Sequence, residues 1–204
     1  VCTPWRAAFL TGQYPLTNGV FLNDVQLPTD RPTLGTCLKD GGYRTGYIGK
    51  WHIDGNRRTA FTPPGPRRQG WDFWAVLNCT HKYLQSHYYL NDDDQMRQWD
   101  GYDATAQTDI ALEFIEESME SDQPFALVLS WGPPHNPYRD VPDEYLEMYP
   151  IEEAEVRLNC AAPNREDLTG YYAHVTALDE QLGRIQDLLE RKNLIENTVF
   201  VYTS

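Results

Sequence analysis

The sequence lacks the features that build membrane spans, signal peptides and repeat architectures. It has no run of about 18 apolar residues, no charged segment followed by an apolar one at its start, and no internal repeat. Basic residues are scarce: 17 lysines and arginines stand against 30 aspartates and glutamates, which gives a formal net charge of −13. We therefore expect neither a nucleic acid nor a membrane as a partner, although a local pocket can still bind a small anion.

Cysteines are also few. There are four among 204 residues, at positions 2, 37, 79 and 160, and none forms a Cys-x-x-Cys pair. This spacing excludes the common structural zinc sites, and a disulfide scaffold is not expected in a chain of this size. Cys79 lies within Asn78-Cys79-Thr80, which formally matches a glycosylation acceptor, a three-residue pattern that is common by chance.

What the chain has in quantity is apolar and aromatic residues. At 41% hydrophobic and 13% aromatic residues it can bury one sizeable core, so we expect one domain or a large piece of one over residues 1–204. The first residue is Val1 rather than Met, which favours a segment upstream of it.

Strand patterns alternate with helix patterns along the chain, which predicts an α/β fold with a mainly parallel sheet flanked by helices. A first helix is predicted from Thr3 as N-cap, with Pro4 at its first position, to a stop at Gly12. The further helices are predicted at 33–40, 105–119 and 166–191 and the strands at 43–48, 125–129 and 198–202. The apolar run at 125–129 is typical of a parallel strand that is buried on both faces.

The stretch 59–103 is different, because it is rich in Pro, Gly, Asp, Tyr and Trp and has no clean periodicity. We interpret it as a long, ordered excursion with short elements, of the kind that often carries specificity. Its aromatic rings and several basic side chains are expected to line or flank a substrate entrance. These basic residues are Arg67, Arg68, His81 and His87.

Candidate catalytic side chains follow the predicted strands. Lys50 and His52 come after the strand that ends at Ile48, and His135 comes after the strand that ends near Ser130. The third predicted strand, at 198–202, would place the residues after Ser204 at the same edge of the sheet. Because ligands of open α/β sheets bind beyond the carboxyl ends of the strands, we expect these groups to meet at one edge.

Cys2 adds an anion-binding element to this edge. It directly precedes a predicted helix, whose unpaired N–H groups and dipole favour negative charge. Arg6 lies one helical turn further on and can reach back toward Cys2. Taken singly, each of these residues is better explained as an inert thiol, a surface charge or a structural histidine.

Taken together, the motifs resemble those of the type I, formylglycine-dependent sulfatase family. The run 2–6, Cys-Thr-Pro-Trp-Arg, with the small-residue helix after it, is similar to the family's Cys-x-Pro-x-Arg element, although Trp5 stands where most members have Ser. The run 41–52, from Gly41 to His52, resembles the family's second motif almost residue for residue. The remaining motifs follow in the family's order at 70–73, 108–115, 133–135 and 171–179.

The resemblance implies a sulfate ester hydrolase on an alkaline-phosphatase-like fold. Cys2 would be converted to Cα-formylglycine by a formylglycine-generating enzyme, and the aldehyde hydrate would be the nucleophile. Arg6 would fix the formylglycine, Lys50 would hold the sulfate, His52 would act as a base and His135 would bind sulfate and protonate the leaving oxygen.

The resemblance also implies a divalent ion, usually calcium, that binds the modified Cys2. The other ligands in the family are Asp and Asn or His side chains whose positions would lie before Val1 and after Ser204. We therefore expect a partial catalytic domain, truncated at both ends, that binds metal weakly or not at all and is inactive alone. Export to a periplasmic, secreted or lysosomal-type compartment is favoured, with any export signal upstream.

Two alternatives remain open from the sequence. Phosphonate and phosphate ester hydrolases share the fold and the nucleophile, and the residues present do not decide between the two ester classes. A non-catalytic relative that binds sulfated glycans is the second alternative, and the intact set of six motif residues argues against it; they are Cys2, Pro4, Arg6, Lys50, His52 and His135. A carbohydrate or aryl sulfate is the expected substrate.

Overall fold

The computed structural model describes residues 1–162 and 164–203. Within these residues there are six α-helices, α1 to α6, in chain order at Cys2–Thr11, Pro15–Asn18, Leu34–Asp40, Asp103–Ser118, Asp143–Leu146 and Arg165–Arg191. The same part of the chain has five strands, β1 to β5, at Arg44–Lys50, Phe73–Leu77, His87–Leu90, Arg97–Gln98 and Phe125–Ser130. Short 3-10 helices lie at Pro66–Arg68, Ile151–Glu153 and Ile195–Asn197.

The strands form one mixed sheet in the order β4-β3-β2-β1-β5. β1 lies at the centre of its parallel part and pairs with β2 on one side and β5 on the other, whereas β3 and β4 are antiparallel. The predicted α/β class is confirmed. The excursion at 59–103, however, supplies three of the five strands, so it builds the sheet rather than only flanking an entrance.

The two faces of the sheet bury different side chains, because successive residues of β1 point to opposite faces. Tyr47 packs in an aromatic cluster with Trp51, Trp71 and Trp74 on the face of α1. Ile48 packs on the other face, which α4 and α6 cover. The result is a three-layer architecture with helices on both sides of a partly parallel sheet.

The start of α1 differs from the prediction. The helix begins at Cys2 with Val1 at the N-cap position, so Thr3 is not the N-cap residue. The Thr3 side chain is buried and binds a neighbouring loop instead. Its Oγ1 accepts a hydrogen bond from the Asp24 N–H at 3.2 Å. Pro4 is tolerated in the first turn, where backbone N–H groups have no intrahelical partner. The predicted end at Gly12 is confirmed, with φ 64° in the left-handed region.

Three other helices follow their sequence signals. Thr33 caps α3 through a capping box with Thr36, as the predicted start at residue 33 requires. α4 and α6 begin one or two residues before the predicted starts, and their buried stripes pack against each other. The apolar spacing at 166–191 therefore identified the longest helix correctly.

Two strand predictions fail in part or in full. β5 is only half-buried along its length, because it is an edge strand that pairs with β1 alone among the described residues. The predicted strand at 198–202 is wrong: these residues form no ladder, and Val199, Val201 and Tyr202 are exposed. A strand needs a neighbour to bond to, and the apolar pattern at 198–202 cannot supply one. Ser204 lies outside the described residues.

Candidate active site

Four chain segments meet at the carboxyl edge of the parallel strands. β1 ends at Lys50 and β5 ends at Ser130, and these strands are in register with Gly49 opposite Ser130. α1 begins at Cys2, beside this edge, and the segment that follows β2 brings Cys79 and His81 to it. The predicted convergence is found for α1 and for the ends of β1 and β5, with β1 extending two residues further than expected. The third strand of that prediction, at 198–202, is not found in the described residues.

Arg6 joins α1 to the ends of both strands. Its Nη1 donates to the Lys50 carbonyl at 2.7 Å and to Ser130 Oγ at 2.6 Å. Ser130 Oγ in turn donates to the same carbonyl at 2.9 Å, as does the Tyr47 hydroxyl at 3.0 Å. These bonds hold the guanidinium between the strand ends and fix the backbone that carries the Lys50 side chain.

Lys50 is a buried cation within this cluster, with 6% of its surface exposed. Its Nζ donates to His81 Nε2 at 3.3 Å. Desolvation lowers the pKa of Lys50, whereas the nearby thiols of Cys79 and Cys2 act to raise it. An ammonium in such a place is short of water partners, so a bound anion would stabilise it strongly.

His81 connects Lys50 to His135. The two imidazole rings are stacked, with centroids 4.5 Å apart and planes 10° from parallel. Desolvation, with a further contribution from the Lys50 charge, lowers the pKa of His81 to about 4, so this ring is neutral near neutral pH. The His135 ring is exposed, and its Nδ1 lies 2.8 Å from the Asn136 carbonyl oxygen.

His52 lies on a separate side of the cluster and is 2% exposed. Its Nε2 donates to Asp24 Oδ1 at 3.0 Å, and its Nδ1 has no hydrogen-bond partner within the described residues. Desolvation lowers the pKa of His52, although the bond to Asp24 opposes this. The hydrogen bond from Arg58 is the main cause that lowers the pKa of Asp24 to about 2.

The sequence reasoning missed several residues of the cluster, namely Asp24, Arg58, Cys79 and Ser130, and it assigned His81 only to the substrate entrance. Ser130 could have been found as the last residue of a strand that ends at the site. The others come from irregular segments, where spacing gives no indication of which side chains will meet.

Two other basic residues of the 59–103 stretch have structural contacts, and His87 is the first residue of β3. Arg67 forms two hydrogen bonds with the buried Asp54 carboxylate, at 2.6 and 2.7 Å. Arg68 is buried and donates to the Thr62 and Asn91 carbonyls. The Asn78 side chain is likewise buried and donates to two backbone carbonyls, so the formal glycosylation acceptor is not available to a glycan.

Calcium does not fit the residues that the structure describes. They contain no group of three or more His, Cys, Asp or Glu side chains that could hold a metal ion. Calcium takes about six to eight oxygen ligands. The metal expected from the sequence would therefore need ligands beyond those described, and no chemical step is assigned to it below.

The fold and the cluster define an α/β protein with a group of basic side chains at the carboxyl ends of its central parallel strands, where open α/β sheets bind their ligands. The sequence model named Sulfatase matches residues 1–204. The chain belongs to the sulfatase family.

Individual relatives agree with this assignment. The chain is 42% identical to an ulvan-active sulfatase of Formosa agariphila over 100% of its own length and 40% of that protein. It is 26% identical to an endo-4-O-sulfatase of Bacteroides thetaiotaomicron, over 99% of the chain and 46% of that protein. A solved structure of yidJ from Bacteroides fragilis, 32% identical, superposes with a TM-score of 0.88 over 97% of this chain and 50% of that one.

The chain thus spans about half or less of the length of these relatives. Among the described residues, the helices are either too short or too polar to cross a membrane.

Proposed function

We propose that this chain supplies the nucleophile and the sulfate-binding side chains of a sulfatase that hydrolyses a sulfate monoester. The observation that carries the proposal is the position of Arg6, which bonds to Lys50 and Ser130 and so holds the start of α1 against the ends of β1 and β5. Cys2, in the first turn of that helix, is thereby held near the buried Lys50, whose Nζ contacts one of two stacked histidines.

Each motif residue has a role that follows from its surroundings. The desolvated Lys50 would bind the sulfate oxygens as a point charge. The exposed His135 would contact the sulfate and give a proton to the leaving alcohol. The buried His52, with Nδ1 unpaired among the described residues, would serve as the base.

Cys2 would act after conversion to formylglycine, whose hydrate attacks sulfur and later releases sulfate as the aldehyde reforms. The position fits such a group, because Cys2 is half-buried at a helix N-terminus, where the backbone favours developing negative charge. Maturation would then require a formylglycine-generating enzyme. Arg6 would hold the backbone that carries this residue in place.

The proposed substrate is a sulfated carbohydrate. The support is similarity to proteins that are named as an ulvan-active sulfatase and an endo-4-O-sulfatase. A compartment outside the cytoplasm would suit a polymeric substrate of this kind.

Mass spectrometry of the tryptic peptide that ends at Arg6 tests the nucleophile directly. After co-expression of the full-length protein with a formylglycine-generating enzyme, we expect this peptide at the mass of the aldehyde. Cys2→Ala is the matched control, since it removes the thiol and keeps the helix. A peptide that stays wholly in the thiol form under conditions that convert another sulfatase would contradict the proposal.

Turnover tests the ester class. The converted full-length protein should hydrolyse an aryl sulfate much faster than the matching aryl phosphate, and Lys50→Ala should lower kcat for the sulfate by about 100- to 1,000-fold, as loss of one charge-stabilising donor does elsewhere. Preference for the phosphate would place the protein in the other ester class.

A further inference from the structure

We propose that Asp24 is a positioning residue for His52, which holds its imidazole in the tautomer with the proton on Nε2 and leaves Nδ1 free to accept a proton. This inference rests on the proposed function only for its catalytic consequence. The arrangement of the two side chains is a property of the chain itself.

The hydrogen bonds allow only one assignment of the proton. Nε2 of His52 lies 3.0 Å from Asp24 Oδ1. An ionised carboxylate is acceptor-only, so the neutral ring must donate from Nε2. Nδ1 is then the acceptor nitrogen, and in the described part of the chain it is buried and has no partner.

Arg58 keeps the carboxylate ionised and oriented. Its Nε and Nη2 donate to the two oxygens of Asp24 at 3.0 and 2.7 Å, a paired geometry that also fixes the plane of the carboxylate. Because the same Oδ1 also receives the bond from His52, rotation of Asp24 would break both contacts. The three side chains therefore form an ordered chain from the surface to the buried ring.

The loop that carries Asp24 is also bonded to the first turn of α1. The Thr3 N–H donates to Asn23 Oδ1 at 3.0 Å, and the Asp24 N–H donates to Thr3 Oγ1 at 3.2 Å. Thr3 directly follows Cys2, so the group that orients the proposed base is fixed to the segment that carries the proposed nucleophile. A shift of one would be transmitted to the other.

The backbone conformations of Asp24 and His52 also support a positioning role for Asp24. Asp24 has φ 64° and His52 has φ 56°, both in the left-handed region that is uncommon for residues other than glycine. Such strain persists where surrounding contacts over-determine it, and it is concentrated at functional sites. Here the hydrogen bond between the two strained residues supplies one such contact.

Nitrogen-15 NMR of the chain with labelled histidine tests the tautomer, independently of any activity. The His52 signals are assigned by their loss in His52→Gln. We expect a protonated Nε2 and an unprotonated Nδ1 at a pH where histidine is neutral. Asp24→Ala should let the two tautomers interconvert, so that both nitrogen shifts move toward an average.

Asp54→Ala is the matched control, because Asp54 also accepts two bonds from an arginine, Arg67, but has no histidine partner. It should leave the His52 signals unchanged. A wild-type His52 that carries its proton on Nδ1 would overturn the proposal even if neither variant folds. Unchanged His52 signals in a folded Asp24→Ala protein would do the same.

Kinetics of the full-length, converted enzyme test the catalytic consequence. Asp24→Ala should lower kcat by about 10- to 100-fold with little change in KM, as the loss of an orienting partner does at other sites. Asp54→Ala should leave kcat near the wild-type value. Equal losses in both variants would mean that Asp24 has only a structural role. Absence of turnover in the converted wild type would contradict the proposed function and leave the NMR result to decide on Asp24.

Discussion

Asp103 is a buried acid that the proposed chemistry does not use. It is 2% exposed at the start of α4, and desolvation raises the pKa of its carboxyl to about 8. Asp103 Oδ1 and Gln107 Oε1 have no hydrogen-bond partner among the described residues, and both side chains line a cavity of about 10 Å³. Two acceptors beside a space for one water are best satisfied when the carboxyl is protonated, because it then supplies a donor.

A protonated Asp103 makes stability depend on pH in a defined direction. Between its unfolded pKa of about 4 and its folded pKa of about 8, the folded protein binds one more proton than the unfolded chain. The contribution of Asp103 to the free energy of unfolding therefore falls as pH rises through this window, by up to about 1.4 kcal/mol per pH unit. Asp103→Asn removes the ionisation, so its stability relative to the wild type should increase from pH 4 to pH 8.

Urea denaturation across this pH range measures the difference. Asp122→Asn is the control, because it makes the same chemical change at an exposed acid in the loop between α4 and β5. A pH-independent difference for Asp103→Asn would show that the carboxyl is ionised in the folded protein.

The sequence could identify the motif residues but not their partners. Cys2, Arg6 and Lys50 stand at positions where a motif and a predicted strand or helix end coincide. Asp24 and His81 lie in segments without periodicity, and each bonds to a residue that is 28 or 31 positions away. Such contacts depend on how loops cross the edge of the sheet, which local sequence does not determine.

At the scale of the elements, the end of β1 depends on one glycine. Gly49 lies opposite Ser130 and has φ 100°. A Cβ added there would approach Gln107 Oε1 to 2.8 Å and would press against the Ser130 carbonyl. Lys50 can therefore leave the strand in its observed direction only because residue 49 has no side chain.

Gly49→Ala should lower the free energy of unfolding by about 2–4 kcal/mol, from the strained φ together with the overpacking. Gly183→Ala is the opposite case, because Gly183 lies inside α6 and an added Cβ meets nothing within 4 Å. That variant should stabilise the chain by about 0.5–1 kcal/mol. Chemical denaturation of both variants checks the pair, and a Gly49→Ala protein as stable as the wild type would contradict the contacts described.

The elements themselves were predicted unevenly, for physical reasons. The long helices α4 and α6 have amphipathic periods that persist over several turns, so their positions were readable from sequence. β2, β3 and β4 are short, and their pairing is set by neighbouring strands. The predicted strand at 198–202 failed for the same reason, since its pattern is that of a strand and the described residues offer it no partner.

At the scale of the whole molecule, the local charge at the site opposes the global charge. The chain carries a formal net charge of −13, whereas Arg6, Lys50 and Arg58 lie within or beside the cluster of candidate residues. In the proposed function, a sulfate ester would approach an acidic protein against its mean field and would be bound by the few cations at this edge of the sheet. Specificity for an anion would then depend on these short-range contacts.

The acidic surface also allows diffuse association with divalent cations, which salt screens, and this must be separated from a specific calcium site. A specific site raises the stability of the folded state by about 2.7 kcal/mol when free ligand is at 100 times its Kd. Since the described residues hold no cluster of three ligating side chains, we expect calcium to leave the Tm of the 204-residue chain unchanged at constant ionic strength.

The same calcium titration should raise the Tm of the full-length protein, because a complete sulfatase site would bind the ion only in the folded state. Scanning calorimetry with calcium, with magnesium at equal ionic strength and with a chelator distinguishes site binding from screening. A saturable, calcium-specific rise in the Tm of the 204-residue chain would show that these residues suffice to form a metal site. Such a result would contradict the expectation that most of the ligands come from outside them.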